Sequence, residues 1–155
     1  MNRRKLIEMD EAERLRFFNE EKVAVVGSFG PRGWPHLMPL WYVVRDGQIW
    51  SWTFTKSQKI KNLERDSRAS VLVEAGDEYA ELRGVQMECE AVFHQESELV
   101  VDFATELVTR YAPEGQEVTP EATEAFRAQA PKRTVLQFKP VRTISWDHRK
   151  LGGVY

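Results

Sequence analysis

The chain has a single cysteine, Cys89, so no internal disulfide can form, and a reducing compartment, the cytoplasm, is the expected setting. It has no apolar run approaching the length of a bilayer span. The first residues, MNRRKLIEMDEAERLRFF, are basic but lack the apolar core of a secretory signal. Its 22 basic and 24 acidic residues nearly cancel, which argues against a nucleic-acid or membrane-surface partner. The three histidines, His36, His94 and His148, show no i, i+4 pairing and no cysteine companions, so no metal site is expected. No Ser-His-Asp or Cys-His arrangement can be argued from spacing, and no catalytic residue is assigned. Repeats, low-complexity tracts and linkers are also missing, and 155 residues fit one domain.

Aromatic residues are plentiful. Four of five tryptophans, Trp34, Trp41, Trp50 and Trp52, fall within nineteen residues, a density that suits a core or a wall for a planar ring system. Asp10 caps a helix predicted over 11–20, with Leu15 and Phe18 on one face and Ala12 and Phe17 at its margins. Residues 22–29 read as a buried strand, and 35–44 as a second, in which Pro39 calls for a bulge or an unpaired position. Asp46-Gly47 is a hairpin signal leading into a strand over 48–54. Further strands are expected over 67–74, 79–94 and 133–146, the last interrupted near Pro140. Helices are expected over 97–111 and after Thr119-Pro120, where a hydroxyl cap precedes a first-turn proline. Hairpin-linked strands with a late helical insertion suggest a small antiparallel barrel.

The most informative stretch is WTFTKSQKIKNL, residues 52–63, where an aromatic strand runs into a short helix. Thr55, Lys56, Ser57 and Lys59 gather at the helix start, where unsatisfied N–H groups and the helix dipole favour an anion. The competing reading makes Thr55 and Gln58 a capping box, with the lysines solvated: Ile60 and Leu63 point inward and place Lys56 and Lys59 off the buried face.

Taken with the GSFGPRGWPH turn, the Asp-Gly hairpin, the K-x-x-N-L-x-R-D-x-R run (Lys59, Asn62, Leu63, Arg65, Asp66, Arg68) and the later ELRGV, this chain resembles the pyridoxamine-5′-phosphate-oxidase-like superfamily. Its F420-dependent branch is the nearest in pattern, over roughly residues 23–146. The resemblance implies a mainly β (α+β) split β-barrel with flanking helices, a homodimer, and F420 or, second, FMN as cofactor. Residue by residue, Trp52 and Thr53 match a Tyr-Thr pair whose hydroxyl and backbone approach the cofactor. Ser57 and Lys59 match the ends of a Ser-Arg-Lys phosphate motif. Met38, Pro39, Leu40 and Trp41 match a strand facing the flavin ring, and Arg83 with Gly84 matches an Arg-Gln step.

Three cations of the FMN pattern are missing: Gln58 replaces the middle arginine, His36 replaces another, and no lysine stands near Trp41, while Lys56 restores one. Pyridoxamine-phosphate oxidation is therefore not the implied activity. The resemblance implies hydride transfer between a reduced (deaza)flavin and a small conjugated substrate, with Tyr42 or Tyr79 available if a proton donor is needed. The alternative is a non-catalytic flavin, deazaflavin or tetrapyrrole binding protein on the same fold.

Overall fold

A computed structural model of the chain describes residues 3–153. After a single turn of helix, α1 (Arg3–Leu6), comes α2 (Glu11–Glu20). The strands are β1 (Ala24–Phe29), β2 (Pro35–Leu40), β3 (Val43–Arg45), β4 (Gln48–Phe54), β5 (Arg68–Ala75), β6 (Arg83–His94) and β7 (Arg133–Asp147). Helix α3 (Gln58–Arg65) follows β4, and α4 (Ser97–Tyr111) and α5 (Pro120–Gln129) form the insertion between β6 and β7. All strand pairs are antiparallel, in the order β2-β1-β5-β6-β7-β4-β3. This is the mainly β split barrel with flanking helices that the strand pattern and the resemblance imply. Among the described residues, no helix is long and apolar enough to cross a membrane.

Two cores fill the fold. Alternation puts Val26, Val71, Val73, Val85, Met87, Leu136 and Phe138 on the barrel's inner face, closed by Ile60 and Leu63 of α3. The other face of β4 and β7 packs Trp50, Trp52 and Val135 against Val100, Phe103 and Leu107 of α4. At the β3–β4 turn Asp46 (φ 50°) and Gly47 (φ 71°) both take the left-handed conformation that a two-residue hairpin needs. Asp10 and Glu13 form a reciprocal capping box at α2, with contacts of 2.8 and 2.7 Å. Asp10→Ala is expected to cost about 1 kcal/mol in a thermal melt.

Four expectations need correction. The strand over 35–44 is broken at Trp41–Tyr42, so β2 ends one side of the sheet order and β3 the other. Pro39 causes no bulge: it stays in register opposite Val25, because β2 is an edge strand and tolerates a missing donor. Residues 79–81 form a 3-10 turn, and the strand begins only at Arg83. On α2 the buried pair is Phe17 and Phe18, and Leu15 is exposed. The interruption near Pro140 is real: Glu88 faces Arg142 and Cys89 faces Pro140, leaving Val141 as the extra residue of a bulge.

Candidate functional site

Strand β4 brings Thr53 to the inner face, and the chain then turns through Thr55, Lys56 and Ser57 into α3. The turn is tied down: the Thr55 amide donates to the Lys132 carbonyl at 2.9 Å, and the Ser57 amide to Phe54 at 2.9 Å. Thr55 shares a 2.9 Å hydrogen bond between hydroxyls with Thr134, to which Gln95 also donates at 2.9 Å. The capping box expected from Thr55 and Gln58 does not form. Ser57 is the N-cap, yet its hydroxyl makes no capping bond and instead accepts from Thr53 at 3.4 Å. Gln58 turns along the helix and donates to Asn62 at 2.8 Å.

Lys59 does not lie off the buried face as its spacing suggests. It is 8% exposed, and its Nζ donates to Thr53 Oγ1 at 2.9 Å. Among the described residues no carboxylate pairs with it, although such a charge is expensive to bury alone. Desolvation pushes its pKa below the ordinary lysine value of 10.5. Thr53, Ser57, Lys59 and the start of α3 thus form a donor-rich cluster with a net positive charge and, among the described residues, no paired anion. Lys56 is exposed beside it.

The rest of the motif is scaffolding. Asn62, fully buried, donates to Ser28 of β1 at 3.1 Å, and Arg65 reaches the Phe29 carbonyl at 2.7 Å. Asp66 takes Arg68 in a side-on pair, which holds its carboxyl down at about 2. These contacts clamp α3 against β1 and the start of β5, and so fix where Lys59 stands. Thr134, Gln95 and Ser28 escaped the sequence reading because they join the cluster only through sheet register and long-range contacts.

The remaining candidates divide. Met38 and Leu40 stand on the inner face of β2 opposite Val26 and Ala24, and Pro39 on the outer face. Trp41 is largely exposed, stacked on Tyr111 at 4.2 Å, with its carbonyl held by Ser51 at 2.6 Å. Trp52 points away from Thr53, towards Phe103 and beneath the Arg133 guanidinium. Arg83 sits at the far end of β6, paired with Glu20, the last residue of α2, and Glu21 just after it, and lies over the Phe17 ring. It does not join the Lys59 cluster within the chain. Tyr42 is no free proton donor: it is buried, its hydroxyl donates to the Phe18 and Glu21 carbonyls at 2.6 and 3.0 Å, and burial raises its pKa. Tyr42→Phe should cost about 1–2 kcal/mol of stability in a denaturant titration and leave ligand affinity unchanged. Burial pushes the Cys89 thiol up to about 12, so it behaves as packing. Among the described residues no metal-ligating cluster exists.

A cleft of about 500 Å³ opens on the outer face of the sheet, lined by Gly27, Phe29, Leu37, Arg68 and Val141 among others. Phe29, Leu37 and Val141 there are 49%, 62% and 71% exposed. Thr53, Ser57 and Lys59 do not line it, although Ser28, the partner of Asn62, does.

The family model described as pyridoxamine 5′-phosphate oxidase matches residues 10–147. A conserved hypothetical protein from Mycobacterium tuberculosis is 40% identical with a TM-score of 0.86, covering 96% of this chain and 91% of its own. A structure described as an F420 reductase superposes with a TM-score of 0.63 at 15% identity, covering 83% of this chain and 93% of that one. The heme storage protein HutZ from Vibrio cholerae gives 0.65 at 13% identity, covering 88% and 96%. No curated relative matches the chain. The last two likenesses speak for the fold alone, whereas the family model spans every element that builds the Lys59 cluster. The chain belongs to the pyridoxamine 5′-phosphate oxidase family.

Proposed function

We propose that the protein is a homodimeric oxidoreductase that binds F420, or failing that FMN, and exchanges a hydride with a small conjugated substrate. The observation that carries this reading is Lys59: a buried ammonium with a hydroxyl partner and no carboxylate, at the start of a helix whose cap hydroxyl makes no capping bond. A phosphate group of the cofactor would supply the missing anion, held by Lys59, Ser57 and Thr53, with Lys56 and Thr55 at its rim. When bound, the cofactor supplies the redox chemistry; the chain binds, orients and shields it, which fits the lack of an acid–base pair at the pocket.

F420 is preferred over FMN because Gln58 and His36 stand where the FMN pattern has arginines. The dimer is supported by the exposed apolar residues of the outer face, Phe29, Leu37 and Val141, which a second copy would cover. The structure described as an F420 reductase shares the fold, which makes this cofactor the first to try.

Fluorescence titration of the purified protein with F420 and with FMN tests the assignment. Micromolar binding of F420 with weak response to FMN is the expected result, and binding of neither would end the cofactor reading. Steady-state oxidation of the reduced cofactor with quinones and enones separates an enzyme from a carrier: binding without turnover by any acceptor would leave a binding protein.

A further inference from the structure

We propose that Arg133 forms a second anion subsite, on the face of β4 and β7 opposite Lys59, which takes the carboxylate of an aromatic or conjugated acid. Its guanidinium carbon lies 4.5 Å from the Trp52 ring centroid and 3.6 Å from that of Phe54, so aromatic rings attend it. Its in-plane donors are poorly used. Nε is buried without an acceptor, and Nη2 reaches only the Gln129 amide oxygen at 3.3 Å.

The same edge of other arginines in this chain shows what it is suited to hold. Arg68 places Nε and Nη2 on the Asp66 carboxylate at 3.0 and 2.7 Å. Arg149 does the same with Asp147 at 2.9 and 2.7 Å. Among the described residues no carboxylate pairs with Arg133, and burial lowers its pKa. A desolvated guanidinium with no carboxylate on its side-on edge can take one bidentately, as a lysine cannot, once Gln129 gives way.

The surroundings favour the same ligand. The Thr55 amide bond to Lys132 brings the segment carrying Lys56 beside the one carrying Lys132 and Arg133, so this strand end is positively charged. Phe54 is largely exposed and offers ring surface next to the charge. Gln129 is exposed at the last position of α5, so it can swing away and yield Nη2. The inference deepens the oxidoreductase reading by naming a substrate class, and it rests on that reading only in calling the ligand a substrate.

The test compares 2-naphthoate with the isosteric, uncharged 2-naphthamide on the full chain by calorimetry. The wild type is expected to prefer the acid by about tenfold or more, Arg133→Gln to lose that preference to within about twofold, and Arg133→Lys to keep only part of it. Equal affinity for acid and amide, no binding of the acid, or a preference that survives in Arg133→Gln would overturn the proposal. F420 and FMN titrations of Arg133→Gln are expected to match the wild type; this shows that the variant is folded and separates failure of this subsite from failure of the Lys59 pocket.

Discussion

Replacing Lys59 with methionine is expected to make the protein more stable and, at the same time, to abolish most of its affinity for a phosphate-bearing cofactor. The two effects share one cause. The ammonium is buried with a single neutral partner, Thr53, so the empty fold carries an uncompensated desolvation cost. Methionine has similar length and no charge, and relief of that cost should add about 1–2 kcal/mol to unfolding stability. Loss of a charge-assisted contact to phosphate should weaken binding by about 1.5–3 kcal/mol, roughly tenfold to a hundredfold.

Acidity adds a second signature. The folded-state pKa of Lys59 lies below the unfolded value near 10.5, so the destabilisation is fully present while the folded lysine is charged. It shrinks as pH rises through the folded pKa towards the unfolded one. Wild type should therefore gain stability relative to Lys59→Met on the alkaline side, while its anion affinity falls there as the ammonium loses its proton. A methionine variant that is less stable and binds FMN or F420 as well as wild type would remove Lys59 from the site.

Gly84→Ala is the substitution expected to damage the fold most for its size. Gly84 is buried on β6 directly opposite Trp146 of β7, and a β-carbon there would collide with the indole ring at three of its carbons. Neighbouring backbone prevents a simple retreat, because Trp146 lies between Ser145, whose hydroxyl accepts from the Met9 amide at 3.0 Å, and Asp147, which holds Arg149. Overpacking of this kind should cost about 2–3 kcal/mol. For a chain of this size that lowers the melting temperature by roughly 5–10 °C. Combining Gly84→Ala with Trp146→Leu should recover part of the loss, since the collision is with the ring. Full stability of the single variant would show that the strand pair shifts freely. Within the chain, the arginine of the Arg83-Gly84 step ties β6 to α2 and its glycine makes room for an indole.

Local chemistry made much of the architecture legible. Thr119 before Pro120 marks a helix start because hydroxyl and imide ring each satisfy the first turn, and Asp46-Gly47 marks a hairpin because both residues accept positive φ. The helix over 97–111 follows its apolar spacing and has the predicted bounds. What stayed hidden depends on neighbours distant in sequence. Spacing on α3 correctly sends Ile60 and Leu63 inward but cannot say that the sharp turn from β4 into the helix, held by the Thr55 amide on the distant Lys132 carbonyl, folds Lys59 back onto Thr53. Arg83 meets Glu20 and Glu21 only through the docking of α2, more than sixty residues earlier in the chain. The break at Trp41 follows from Ser51 holding its carbonyl and from Tyr42 bonding to the carbonyls that end α2, neither of which has a sequence signature.

The most direct test of the account is to compare ligands that differ only by phosphate. FMN and riboflavin share one ring system, so any difference in their affinity for this protein measures the anion pocket alone. With Lys59, Ser57 and Thr53 holding the phosphate, FMN should bind about tenfold or more tightly than riboflavin, and the gap should close in Lys59→Met. F420 and its chromophore lacking the phosphate and tail, a pair that differs by more than the phosphate, should give a gap at least as large. Equal affinities in the wild type for both pairs would contradict the account and return Lys59 to a buried residue without a ligand.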